Sequence, residues 1–272
     1  MGIVTLTTDL GYRDHYLAIV KARLISKMPS VQIIDLSCEI HNNNVSDASY
    51  VLRNSLPHFP AETIHLVAIK FTQEKSELNA MSTVDNSRFL MTRLNDQYIL
   101  SPDTGLFHLL DPNFNETVYQ IYYNEEHKKH FYLKDIFADA ALHLLEGKAP
   151  EEIAHPVKDF HKATQFESFL NGNILKGRAL YIDDFGNIIT NITRDKFEKA
   201  VGNKTFSITL PGRRINSISQ TYDDVKHGAT LVFFNSAGYL EVAINGNNAY
   251  NMLIPKDPNK KFDFNLLIEI HD

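Results

Sequence analysis

The periodicity of the apolar residues changes once along this chain, near Leu170, and that change limits the folds open to it. Before it, apolar runs of strand length alternate with segments whose apolar residues recur every three or four positions. Ile3 to Thr8 reads as a strand. A helix should follow, capped by Asp14 and running to about Lys27, where Pro29 stops it. Val31 to Leu36 is a second strand. Ser46 opens a second helix with Ala48, Val51, Leu52 and Ser55 on one face, ended by Pro57. Thr63 to Ile69 is almost wholly apolar and belongs at the centre of a sheet. Strands near Arg88 to Thr92 and Tyr98 to Leu100 come next. Asp135 is expected to cap a further helix, with Phe137, Ala140, Ala141, Leu144 and Leu145 in one stripe and Gly147 closing it. This order predicts a mainly parallel α/β sandwich.

Beyond Leu170 short strands recur between Gly, Asn and Asp turns: Arg178 to Ile182, Ile188 to Ile192, Thr205 to Thr209, Thr230 to Phe234, Tyr239 to Ile244 and Asn265 to Ile270. Helical spacing is scarce there, apart from a short piece at Asp195 to Ala200. That pattern predicts a small all-β, barrel-like domain. The boundary falls between Pro156 and Gly172, giving an α/β domain over 1–165 and a β domain over 166–272. A chain of 272 residues is long enough for two such cores.

Composition excludes several function classes. The formal charge of −6 leaves no electrostatic footprint for nucleic acid. Basic pairs such as Lys128-Lys129 and Lys260-Lys261 read as solvated surface. Cys38 is the single cysteine, so an intramolecular disulfide is impossible and a reducing, cytoplasmic location is expected. No signal peptide is expected, because the sequence opens on a strand-like run, and Leu6 does not fit a myristoylation pattern. No apolar run approaches membrane-spanning length. Of the twelve histidines, His127 and His130 have a suggestive spacing but sit in a charged, loop-like run, and no metal site is expected.

Two polar segments carry the chemistry. Tyr181 to Ile192 reads Y-I-D-D-F-G-N-I-I-T-N-I, two apolar runs around a hairpin tip in which Gly186 can take positive φ. The tip offers carboxylates, an aromatic face and an amide. Thr5 to Tyr16 reads T-L-T-T-D-L-G-Y-R-D-H-Y, with Asp9 at a strand end. D-F-G alone suggests the metal loop of protein kinases, but no glycine-rich loop or H-R-D precedes it. Singly, Asp14 fits a helix cap, Asp183 a turn, and Phe185 and Tyr222 a core.

Together these segments resemble the S-adenosylmethionine (SAM) hydroxide adenosyltransferase family, relatives of the adenosyl-fluoride and adenosyl-chloride synthases. The resemblance rests on T-T-D-L-G-Y-R-D at Thr7 to Asp14, I-I-D-L-S at Ile33 to Ser37 and F-P-A-E-T-I-H-L-V at Phe59 to Val67. It continues with S-P-D-T-G-L at Ser101 to Leu106, D-I-F-A at Asp135 to Ala138, I-D-D-F-G-N-I-I-T-N-I at Ile182 to Ile192 and N-S-A-G-Y-L-E-V-A-I-N at Asn235 to Asn245. These segments stand in family order over nearly the whole chain. The resemblance implies attack of water on ribose C5′ of SAM, giving adenosine and L-methionine, with no metal or redox cofactor. It assigns Asp9 to the ribose diol, Asp14 and Asp183 to the methionine ammonium, and Ser236 to the methionine carboxylate. Phe185, Asn187 and Tyr222 are assigned to adenine, Asn245 and Gly246 to the turn that lines the base, and Phe131 to a substrate contact. It further implies a homotrimer with the site between subunits.

The nucleophile end departs from the family pattern. Lys70 stands where the hydrolases carry a water-activating Asp, and Tyr132 where they carry a His. Arg88 is the nearest counterpart of the family arginine. Lys70, Arg88 and Tyr132 are therefore the candidate catalytic residues. Leu133 replaces a small residue and is expected to crowd the nucleophile position; Asn43 and Ala237 replace an aromatic and an arginine of the halogenases. Three functions fit: slow SAM hydrolysis, adenosyl transfer to a halide or other anion, and binding of SAM or adenosine without turnover.

Overall fold

The computed structural model of the chain describes residues 2–69, 88–124, 131–254 and 264–271. The chain divides into two compact units, Met1–Thr164 and Gln165–Asp272.

The first unit is built on a seven-stranded sheet. Its strands are β1 (Ile3–Thr8), β2 (Gln32–Ser37), β3 (Ile64–Ala68), β4 (Phe89–Leu94), β5 (Gln97–Pro102), β6 (Val118–Ile121) and β7 (Ala154–Val157). They lie in the order β2-β1-β3-β5-β4-β6-β7. The first four of that order are parallel neighbours, and the other three pairings are antiparallel. The expected α/β domain is thus present, with a mixed sheet: β1, β2, β3 and β5 are parallel, while β4, β6 and β7 add antiparallel pairings. The helices are α1 (Tyr16–Lys27), α2 (Val45–Ser55), α3 (Leu106–Leu110) and α4 (Ala138–Leu145).

Alternation along the strands sorts the side chains onto two faces. Val4, Leu6, Ile64, Leu66 and Met91 pack with Leu17, Val20 and Leu24 of α1 and with α4. Val67, Leu90 and Ile99 face the other way, onto Ala48 and Leu52 of α2 and onto α3. Gly147, φ +75, closes α4 as expected: its N–H reaches Leu144 O while Lys148 N reaches His143 O.

Three helix starts differ from expectation. Asp14 does not cap α1; the residue before the helix is His15, itself in αR, and no side chain caps the first turn. Bends from Tyr12 to His15 leave Asp14 exposed and too early to reach the free N–H groups. In α2 the cap is Asn44, whose Oδ1 accepts from Asp47 N at 3.2 Å, so the helix starts one residue before Ser46. Asp135 is no cap either. It lies inside a π-helical turn, Leu133–Phe137, that runs directly into α4, and it pairs with Lys134.

The second unit is all-β apart from short helices. Its strands are β8 (Phe169–Asn171), β9 (Ile174–Ile182), β10 (Ile188–Thr193), β11 (Thr205–Leu210), β12 (Arg213–Ile215), β13 (Thr230–Phe234), β14 (Tyr239–Ile244) and β15 (Asn265–His271). The order is β12-β11-β15-β9-β10-β14-β13, with β8 on β9, and the strand pairings are antiparallel. β9 joins two halves: Ile174 to Arg178 pair with β15, and Ala179 to Ile182 with β10. Gly177 marks the corner, where a Cβ would come within 2.5 Å of the Ile192 side chain. α5 (Arg194–Val201) is capped by Thr193, and α6 (Ala249–Leu253) by Asn248. One core, including Leu175, Ile188, Val232, Val242 and Ile268, fills the barrel-like sheet.

His65 ties three strands of the first unit together. It is fully buried, with Nδ1 2.7 Å from Thr5 Oγ1 and Nε2 3.1 Å from Gln97 Oε1. Gln97 Nε2 donates to Leu56 O and Phe59 O, so its oxygen must face the imidazole, which donates from Nε2 and accepts the Thr5 hydroxyl at Nδ1. The neutral ring is satisfied; a charged one would be buried with no counter-charge beside it among the described residues. Burial lowers its pKa from 6.5 to about 4. The unfolded chain therefore binds this proton at higher pH than the folded one. Stability held above pH 6.5 is lost as pH falls toward 4, by roughly 3 kcal/mol for this group. Urea midpoints measured across that window should fall, and a His65→Gln variant should lose much of that slope. An unchanged slope in the variant would show that other groups set the acid sensitivity.

Candidate active site

Parallel strands point their C-terminal ends at one edge of the sheet, and ligands of open α/β sheets bind there at a point where the winding reverses. In this sheet β1 lies between β2 and β3, so that point is the crevice past Thr8 and Ala68. Asp9 is the first residue past β1. Asn43 takes φ +61, and its N–H donates to Asp9 Oδ2 at 3.1 Å. Gly11 N to Cys38 O, 2.7 Å, and Ile40 N to Thr8 O, 3.1 Å, stitch the two loops together. The carboxylate is thereby held at the mouth of the crevice.

Tyr132 approaches the same edge. Its hydroxyl donates to Ile69 O at 3.4 Å, and its ring stacks on Phe89 with centroids 4.9 Å apart. Burial, and next the charge of Asp9, push the hydroxyl well above the ordinary tyrosine range. Tyr132 is therefore a neutral group at physiological pH. Phe131 sets its ring edge-on to Tyr16, 5.6 Å away. Leu133 points into the apolar core and is fully buried. Arg88 is engaged elsewhere: Nη2 meets Asp103 Oδ2 at 2.6 Å, and Asp103 Oδ1 accepts from His161 N at 2.8 Å. Lys70 lies outside the described residues, as do Lys128, Lys129, Lys260, Lys261, His127 and His130.

The second unit gathers the other candidates. The tip between β9 and β10 is closed by Gly186 N to Asp183 O, 2.9 Å, with Gly186 at φ +80. A larger residue would be strained at this φ and would displace the Asn248 side chain, whose Nδ2 lies 2.0 Å from where a Cβ would stand. Asp183 accepts the Asn187 backbone N–H at 2.8 Å through Oδ1 and its side-chain Nδ2 at 3.0 Å through Oδ2. Asn187 Nδ2 also donates to Tyr222 Oη at 2.9 Å. Phe185 is 80 % exposed, so it is not a core residue; it offers an open aromatic face at the tip.

Tyr222 begins a 3-10 turn, Tyr222–Asp224, which Asn245 clamps by donating Nδ2 to Tyr222 O at 3.1 Å and Val225 O at 2.9 Å. Gly246, φ +74, is overlaid by the His227 ring, 2.2 Å from where a Cβ would stand. Ser236 is exposed in the hairpin between β13 and β14, beside Asn235, whose Oδ1 accepts from Ala237 N and Tyr239 N.

Two residues of this cluster, Glu241 and Asn235, have no counterpart among the sequence candidates. Glu241, in β14, is 5 % exposed. Its Oε1 accepts the Tyr222 hydroxyl at 3.3 Å and its Oε2 accepts Asn235 Nδ2 at 3.0 Å. Burial raises its pKa, and burial chiefly, then the Glu241 charge, pushes Tyr222 up to about 12. A charged residue between Leu240 and Val242 in a strand was the available signal. Asp183, Asn187, Tyr222, Glu241 and Asn235 thus form one continuous chain of hydrogen bonds. Among the described residues no group of three or more His, Cys, Asp or Glu could hold a metal ion. No helix there is long and apolar enough to cross a membrane.

Residues 4–154 match the SAM hydroxide adenosyltransferase N-terminal domain, and residues 177–255 match the C-terminal domain of the same family. An (R)-S-adenosyl-L-methionine hydrolase of Thermus thermophilus is 28% identical over 93% of this chain and 96% of its own. A hydrolase of the same name from Methanocaldococcus jannaschii is 27% identical over 93% of this chain and 92% of its own. A fluorinase of Actinoplanes is 25% identical over 89% of this chain and 91% of its own. The crystal structure of an uncharacterized conserved protein from Thermotoga maritima superposes with a TM-score of 0.79, at 26% identity, over 98% of this chain and 99% of that one. The chain belongs to the SAM hydroxide adenosyltransferase family, a family of enzymes.

Proposed function

We propose that this chain binds SAM and cleaves it at ribose C5′ with water, giving adenosine and L-methionine. The family supports the substrate. The observation that carries the reading is the Asp9 carboxylate, anchored by Asn43 at the switch-point edge of the parallel strands. A carboxylate there can accept both hydroxyls of a ribose. Phe185 and Asn187 supply a stacking face and an amide for the base, with Tyr222 behind them. Asn245 and Gly246 shape the neighbouring turn. Asp14 and Asp183 are assigned to the ammonium, Ser236 to the carboxylate and Phe131 to the substrate's flank. A homotrimer belongs to this reading on the strength of the resemblance, and no cofactor is required by it.

The thioether of methionine leaves without a general acid, so the demand falls on the nucleophile. Water must lose a proton as the C–O bond forms. A neutral Tyr132 cannot take it, and Arg88 is occupied by Asp103. Hydrolysis is therefore slow. The same observation favours a second reading, transfer to a halide, because a halide has no proton to lose. Incubating the protein with SAM, with and without halide, and separating the products tests both. Adenosine in both samples is the expected result. A halogenated nucleoside in its place establishes the second reading, and unchanged SAM with measurable binding shows a protein that binds without turnover.

If Lys70 and Tyr132 stand at the nucleophile end, restoring the family pair should help. The double variant Lys70→Asp, Tyr132→His should form adenosine roughly tenfold faster or more, within the range that general bases contribute. A wild type that hydrolyses SAM briskly, with a slower double variant, would show that these positions are misassigned.

A further inference from the structure

We propose that Glu241 is a positioning residue for base recognition, which acts through Tyr222 to hold the Asn187 amide with its oxygen outward and so selects a 6-aminopurine over a 6-oxopurine nucleoside. The inference rests on the adenine assignment above and concerns how that end of the site discriminates.

The polarity of the hydrogen-bond chain follows from what each group can do. A carboxylate only accepts, so the amide nitrogen of Asn187, not its oxygen, must face Asp183 Oδ2 at 3.0 Å. The second amide hydrogen goes to Tyr222 Oη at 2.9 Å. Tyr222 can accept it because its own proton is directed at Glu241 Oε1, 3.3 Å away. Glu241 is fixed in turn by Asn235 Nδ2 at 3.0 Å on Oε2. Both donors of Asn187 are thereby used inside the protein, and Glu241 also draws the same amide nitrogen directly. Its Oδ1 takes part in no hydrogen bond among the described residues and is left as an acceptor. An acceptor pairs with the exocyclic amine of adenine and opposes the carbonyl oxygen of hypoxanthine. Glu241 is buried in a strand between Leu240 and Val242, a costly place for a carboxylate without such a task.

Replacing Glu241 by Gln keeps the shape and removes the obligate acceptor. Asn235 would draw the Gln oxygen, leaving its amide nitrogen toward Tyr222. The tyrosine proton then turns to Asn187, whose amide is pulled one way by Asp183 and the other by Tyr222. The preference between the two bases should shrink, whereas a merely structural defect would weaken both nucleosides alike.

Calorimetric titration of the full chain with adenosine and with inosine tests this. The wild type should bind adenosine more tightly by roughly tenfold or more, and Glu241→Gln should reduce that ratio several-fold. Tyr222→Phe, which removes the relaying hydroxyl, should do the same and decides the matter if Glu241→Gln fails to fold. An unchanged ratio in the folded variants overturns the inference, as does a wild type that binds both nucleosides equally. A wild type that binds neither nucleoside overturns the adenine assignment itself, and the inference with it.

Discussion

The parallel pairing of β1 with both β2 and β3 is the constraint on which the placement of Asp9 depends. Val4 lies opposite Ile64 and Ile33, and Leu6 opposite Leu66 and Asp35. A slip of one residue would send Val4 and Leu6 away from α1 and turn Thr5 and Thr7 into that core. The buried Thr5–His65–Gln97 bonds fix the same register by polar means, since each partner meets a matching donor or acceptor in only one alignment. With the register set, Asp9 follows the last buried residue of β1 and emerges at the crevice rather than inside the sheet. Asn43 then needs only a left-handed backbone to deliver its N–H.

The second unit fixes its groups differently. Here a line of side chains, from Asp183 to Asn235, crosses from the tip between β9 and β10 to the hairpin between β13 and β14. Each member is oriented by its neighbour, so the loss of one is felt along the line. Asn245 holds the turn that carries Tyr222, and Gly186 and Gly246 allow the close approaches of Asn248 and His227. The residues assigned to the base are thus pre-set before any ligand arrives, which lowers the ordering cost of binding.

Much of this was legible in the sequence, for identifiable reasons. Thr230 to Phe234 and Tyr239 to Ile244 were placed to the residue because N-S-A-G between them is an unambiguous turn. The strands β6 and β7 and the helix α3, at four or five residues, are too short to show a period. The antiparallel β4–β5 hairpin was hidden because its tip, Asn95 and Asp96, both with positive φ, lacks glycine. Asp14 and Asp135 were read as caps because residue type alone says nothing of where the chain bends. The candidate carboxylates and tip residues were chosen through motif and resemblance. Glu241 and His65 were not assigned roles, since the partners that matter most, Tyr222 and Thr5, lie 19 and 60 residues away. Tyr132 was found by position, but that it is a neutral, stacked group depends on Phe89 and Asp9, which only the fold brings near.

The central claim is that the crevice beside Asp9 takes the ribose of SAM. Titration calorimetry of SAM against the wild type and Asp9→Ala tests it most directly. A buried, charge-assisted hydrogen bond is worth about 1.5–3 kcal/mol, so the variant should bind roughly tenfold more weakly or worse, with its thermal midpoint little changed. A folded Asp9→Ala protein that binds SAM as tightly as the wild type would place the ligand elsewhere and contradict the account.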